Sequence, residues 1–168
     1  MTTEIIFAGF GGQGVILAGK ILTLAGMSED KYVSHIPSYG AEMRGGTANC
    51  SVIVSDEEVA SPVIEKPDVV VALNKPSMTK FEKWLKPGGL LIYNSSLIDI
   101  EPSRKDIRTL ALPANDMAAE TNNARGANIQ MQSMFLVFSS SSLAFQSMGW
   151  SLRSRPRRAQ ASLARSMS

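Results

Sequence analysis

Glu4-Ile5-Ile6-Phe7-Ala8, then Gly9-Phe10-Gly11-Gly12-Gln13-Gly14, then Val15-Ile16-Leu17-Ala18 is the stretch on which the fold turns. The first run reads as a short buried strand. The glycines then match G-x-G-x-x-G, and the apolar residues after them (Val15, Leu17, Ala18, Ile21, Leu22, Ala25) give a helix a broad apolar face that Gly26 closes. Strand, glycine turn and helix in that order are the context in which such a turn offers free backbone N–H groups to an anion. The same turn also arises simply where a helix packs closely on a sheet.

Working outward, Lys31 to Ile36 is a second strand with Pro37-Ser38-Tyr39-Gly40 as its stop, and Thr47 to Val54 alternates as a third. Val69-Val70-Val71-Ala72-Leu73 is the continuous β-branched run of a strand covered on both faces. Met78, Phe81, Trp84 and Leu85 fall at helical spacing over Pro76 to Leu85, which places Phe81 and Trp84 in the core. Lys86-Pro87-Gly88-Gly89 is a turn, Leu90 to Tyr93 and Ile107 to Leu112 are strands, and Ala114 to Ala127 is a helix. The alternation predicts an α/β fold: a single Rossmann-like layered domain with a mostly parallel sheet.

The chain has 168 residues, is 44% hydrophobic and 19% charged, and so reads as one soluble domain. No run approaches the ~20 apolar residues of a membrane span. Glu4 and the lack of early Lys or Arg argue against a secretory leader, and a cytoplasmic location is expected. Cys50 is the only cysteine and His35 the only histidine, which excludes an internal disulfide and a four-thiolate cluster. The same scarcity leaves no zinc set and no Ser-His-Asp constellation. No metal ligand, catalytic acid, base or nucleophile is assigned.

A nicotinamide dinucleotide reading of the turn needs an acid at the end of the second strand. Ser34-His35-Ile36 supplies none, and Glu29 and Asp30 precede that strand. Lys86-Pro87-Gly88-Gly89-Leu90-Leu91 resembles a loop of Rossmann-like methyltransferases but reads first as a bare turn between a helix and a strand. A stand-alone dehydrogenase or methyltransferase is therefore the alternative reading.

Taken together, Gly9-Phe10-Gly11-Gly12-Gln13-Gly14-Val15 and Pro37-Ser38-Tyr39-Gly40-Ala41-Glu42-Met43-Arg44-Gly45-Gly46-Thr47-Ala48-Asn49-Cys50 resemble the gamma subunits of 2-oxoacid:ferredoxin oxidoreductases. The resemblance continues through Ser61-Pro62, Pro67-Asp68-Val69, Ala72-Leu73-Asn74-Lys75-Pro76-Ser77, Lys86-Pro87-Gly88-Gly89 and Asn94-Ser95-Ser96, and covers residues 5 to 128. It implies an oxidoreductase that converts a 2-oxoacid and coenzyme A to acyl-CoA and carbon dioxide while reducing ferredoxin, inactive without alpha, beta and delta-type partners. It further implies that thiamine diphosphate, magnesium and iron–sulfur clusters sit on those partners, with this chain on the coenzyme A side. Glu42-Met43-Arg44-Gly45-Gly46 is similar to the 2-oxoglutarate type first and the 3-methyl-2-oxobutanoate type second. The residues expected to face coenzyme A are Gly11, Gly12, Gln13, Gly14, Ser38, Tyr39, Arg44, Gly45 and Asn74. Arg44 reaches a phosphate or carboxylate bidentately, or pairs with Glu42 or a partner subunit.

Residues 1–128 form the gamma-type domain and 129–168 an atypical tail. Residues 1–120 carry 11 Lys or Arg against 15 acids, whereas 121–168 carry six Arg and no Lys, Asp or Glu. Three readings of the tail stand: a basic segment for nucleic acid or an acidic partner, a solvated disordered end, or the product of a shifted reading frame after Asn128. The folded part is net negative, so no nucleic-acid partner is expected. No membrane partner is expected either.

Overall fold

The computed structural model describes residues 1–40 and 46–120; the tail from 129 lies outside these, as does the second half of the helix expected over Ala114 to Ala127. The elements are β1 (Thr2–Phe10), α1 (Val15–Ser28), β2 (Tyr32–Tyr39), β3 (Thr47–Ser55), β4 (Val69–Ala72), α2 (Lys75–Phe81), β5 (Leu90–Asn94), β6 (Arg108–Leu112) and α3 (Ala114–Glu120). They build a six-stranded sheet in the order β2-β3-β1-β4-β5-β6. β1, β4, β5 and β6 are successively parallel, with Ile5 opposite Val69 and Val69 opposite Leu90. β3 runs against both its neighbours, β1 and β2. The fold class read from the sequence is therefore right, with one reversed strand in the sheet.

Alternation along each strand assigns the two faces. On one face Ile6, Ala8, Ile53, Val70, Ala72 and Leu91 meet Met78, Phe81, Leu85 and Ile98 from α2 and the segments around it. On the other, α1 lies across β1, β2 and β3 and buries Val15, Ala18 and Leu22. Its outward side carries Leu17, Ile21, Leu24 and Met27, all exposed, and Lys20 is the only charged residue of the helix. Among the described residues no helix is long and apolar enough to cross a membrane.

Polar contacts fasten the lower rim. The Lys86 ammonium bridges Glu4 and Asp68, 3.0 Å from each, and ties the turn before β5 to the starts of β1 and β4. Arg104 donates to the carbonyls of Leu85 (2.6 Å) and Glu82 (3.1 Å) and pairs with Asp106. The buried Glu82 carboxylate accepts from the backbone of Arg104 at 2.7 Å, so the 99–106 loop is pinned under the end of α2.

Two expectations need correction. Pro37 does not stop β2, which continues to Tyr39. β2 lies at the sheet edge, where a residue without N–H is tolerated because its nitrogen turns to the unpaired side. Trp84 is not core: it is 42% exposed, in a 3-10 turn (Glu82–Trp84) that ends the helix early, and stacks edge-on against the buried Phe81 at 5.1 Å.

Candidate functional site

β1 ends at Phe10, and the chain must then reverse into α1 within four residues. Gly12 (φ 96°) and Gly14 (φ 76°) take the left-handed conformation that makes this turn possible. Gly14 is also the N-cap of α1 and has no side chain to satisfy the first helical amides. Those amides, with the positive end of the helix dipole, border a cleft of about 260 Å³. Its walls are Phe10, Gly11, Gly12 and Gly14, the first turn of α1, Ala48 from β3, and the ring of Tyr39. Among the described residues Tyr39 is the only titratable side chain in this lining, and the free helical amides suit the holding of an anion.

The cleft sits at the carboxyl end of β1, where α1 departs to one side of the sheet and α2, after β4, to the other. Such a switch point is where open α/β sheets receive ligands. Here the crevice between β1 and β4 is already occupied by protein. The Gln13 carboxamide folds back so that its Oε1 accepts from the backbone N–H of Phe10 at 2.7 Å and from Asn74 Nδ2 at 3.4 Å. Asn74 is buried and caps α2, its Oδ1 accepting from Ser77 N–H at 2.9 Å. The open space is displaced from the crevice toward β2 and β3.

Of the residues singled out from the sequence, Gly11, Gly12, Gly14 and Tyr39 line one cleft. Gln13 and Asn74 form the contact behind it. Ser38 is exposed and, by strand alternation, points to the opposite face of the sheet from Tyr39. Arg44 and Gly45 lie outside the described residues. Their segment is anchored on both sides: Gly40 N–H donates to Thr47 O at 2.8 Å, and Gly11 N–H donates to Gly46 O at 2.9 Å. The second of these joins the glycine turn directly to the loop that carries Arg44. Sequence reading missed Phe10, Ala48 and Gly46. Ala48 had a usable signal, because its place in an antiparallel hairpin with Tyr39 fixes it beside that ring.

Among the described residues no three of His, Cys, Asp and Glu gather as a metal site. Cys50 is fully buried beneath α1, and burial pushes its thiol up to about 12, only partly offset by the backbone of Gly19. Such a thiol is neither a nucleophile nor a ready metal ligand.

A family model described as pyruvate ferredoxin/flavodoxin oxidoreductase matches residues 4–166. The VorA subunit of ketoisovalerate oxidoreductase from Methanothermobacter marburgensis is 40% identical over 128 residues, 76% of this chain and 27% of its own. The KorC subunit of 2-oxoglutarate synthase from Methanocaldococcus jannaschii is 35% identical over 122 residues, 71% of this chain and 65% of its own. Among solved structures, 2-oxoglutarate:ferredoxin oxidoreductase from Magnetococcus marinus, with 2-oxoglutarate, coenzyme A and succinyl-CoA bound, superposes with a TM-score of 0.69 at 26% identity, over 76% of this chain and 22% of that one. The gamma subunit of keto/oxoacid ferredoxin oxidoreductase from Geobacter sulfurreducens gives 0.66 at 32% identity, over 77% of this chain and 73% of that one. The chain thus spans about a quarter of the VorA length and just under two thirds of KorC.

Proposed function

The chain belongs to the pyruvate ferredoxin/flavodoxin oxidoreductase family, and on that premise we propose that it serves as the gamma-type part of a 2-oxoacid:ferredoxin oxidoreductase, where it cradles coenzyme A. The observation that carries the coenzyme A role is the cleft between the glycine turn, the uncapped start of α1 and Tyr39. Backbone amides at Gly12 and Gly14 and in the first helical turn are suited to a phosphate, while the Gly11 N–H is engaged by Gly46 O. In this reading Arg44, two residues before the Gly46 whose carbonyl accepts from Gly11, supplies the counter-charge. A structural neighbour carries coenzyme A, which supports the choice of anion. Bound there, coenzyme A supplies the thiol that takes up the acyl group. This chain's part is to bind and orient it.

The redox and decarboxylation chemistry belongs to partners. A single buried thiol cannot ligate an iron–sulfur cluster, and among the described residues the cleft is lined by no carboxylate. In this reading thiamine diphosphate, magnesium and the clusters sit on alpha, beta and delta-type subunits, with ferredoxin as the acceptor beyond them, all in the cytoplasm. 2-Oxoglutarate is the favoured 2-oxoacid and 3-methyl-2-oxobutanoate the second, a choice resting on Glu42-Met43-Arg44-Gly45-Gly46. A stand-alone dehydrogenase or methyltransferase has nothing in its favour: the Gln13–Asn74 contact fills the crevice a dinucleotide crosses, and β2 ends in Ser38-Tyr39 with no acid.

Arg44→Met in the assembled complex tests the reading. The Michaelis constant for coenzyme A rises about tenfold, as expected for loss of a charged hydrogen bond, while that for the 2-oxoacid holds. An unchanged constant for coenzyme A in an intact complex refutes the role of Arg44. The 2-oxoacid itself is read by comparing kcat/KM for 2-oxoglutarate and 3-methyl-2-oxobutanoate.

A further inference from the structure

Asn74 and Gln13 are joined in a chain of hydrogen bonds whose direction is forced at every link. Ser77 N–H donates to Asn74 Oδ1 (2.9 Å), Asn74 Nδ2 donates to Gln13 Oε1 (3.4 Å), and Phe10 N–H donates to the same Oε1 (2.7 Å). Backbone N–H groups stand at both ends, and they can only donate. The Asn74 oxygen must therefore face Ser77, which leaves its amino group for Gln13, and the Gln13 oxygen must face Phe10. Neither amide can flip without setting donor against donor or acceptor against acceptor.

The chain also spans two turns that sequence separates widely. Phe10 and Gln13 belong to the glycine turn after β1, and Asn74 and Ser77 to the first turn of α2 after β4. The strands themselves are held in register there by Leu73 N–H donating to Ala8 O at 2.8 Å. The Gln13 carboxamide rests against Gly9 so closely that a Cβ on Gly9 would lie 2.7 Å from Oε1. With its oxygen engaged twice, Gln13 has only its amino group left, and that group has no partner among the described residues.

We propose that Asn74 is a positioning residue: it fixes the Gln13 carboxamide, and so the shape of the Phe10–Gly14 turn that receives the coenzyme A phosphate, without touching the ligand itself. The role rests on the coenzyme A reading given above.

Asn74→Asp separates this role from capping. Aspartate caps α2 as well as asparagine does. It nevertheless puts an acceptor where Gln13 needs a donor, so either that contact or the one to Phe10 is lost. In the assembled complex, hydrogen exchange at the Phe10 amide accelerates and the Michaelis constant for coenzyme A rises about tenfold, while kcat stays near the parent value and Tm falls only as far as a lost buried hydrogen bond requires. Asn74→Ser, which also caps α2 but is too short to reach Gln13, gives the same pattern. Unchanged exchange at Phe10 overturns the proposal. So does failure of both variants to assemble, which would make Asn74 a folding residue. If the coenzyme A constant moves with Arg44→Met but not with Asn74→Asp, the positioning role falls alone. If it moves with neither, the coenzyme A reading falls and takes this role with it.

Discussion

Gly19 on α1 faces Cys50 on β3 so closely that a methyl group at 19 would overlap the sulfur and lie 3.1 Å from the His35 ring. The helix lies low on the sheet because this position has no side chain. Gly19→Ala is therefore expected to destabilise the domain by about 2 kcal/mol, in the range for overpacking a core. Cys50→Ala in the same chain removes the overlapping atom and should recover part of the loss. Denaturant unfolding of the two single variants and the double variant measures the coupling, and additive costs would show that the contact does not set the helix height.

The Cys50 thiol, pushed up to about 12 by burial, stays protonated and out of reach in the folded chain. Alkylation by iodoacetamide at pH 8 is expected to be slow, and to reach the rate of a free thiol only in denaturant. Fast labelling under native conditions would mean that α1 lifts from β3.

Gly12 lies at φ 96°, and a Cβ there meets none of the described residues within 4 Å. The cost of Gly12→Ala is thus conformational alone, roughly 1–2 kcal/mol. Because the turn relaxes by moving its amides, the Michaelis constant for coenzyme A should rise by more than the loss of stability accounts for. Calorimetry and steady-state kinetics on the same complex would show the two effects apart.

Burial opposes the charge on Lys86, but hydrogen bonds to Glu4 and Asp68 outweigh it and hold the ammonium above its usual 10.5. A raised folded value means that the stabilisation is fully present below about 10.5 and is lost as pH climbs through the folded value. Lys86→Met should cost up to about 1 kcal/mol at pH 7, modest because the ammonium is partly in water. The gap between parent and variant should close above pH 10.5. A gap that stays constant with pH would assign the loss to packing instead.

Much of this architecture was legible because buried runs and glycine turns are local signals. Val69–Ala72 and Leu90–Asn94 declare themselves by composition, and the β1-turn-α1 unit by its glycines. What escaped is set by distance. The reversal of β3 had a signal in the short link from Gly40 to Thr47, since a parallel connection needs a crossover of a dozen or more residues. Trp84 was misread because helical spacing cannot show where a helix tightens into a 3-10 turn and swings the ring outward. The engagement of Gln13 with Asn74 joins residues 61 apart in sequence and has no local signature. For that reason both were read as equivalent ligand contacts, when the fold gives them a contact with each other.

Pro37 carries one more consequence. β2 is eight residues long, borders the sheet, and shows Tyr32, Ile36 and Tyr39 to solvent, which is the profile of a strand that templates the addition of another. A proline in its second half removes a donor from the outer row. A copy of the chain approaching that edge finds an interrupted ladder, so the residue that failed to end the strand ends the sheet, and guards against polymerisation.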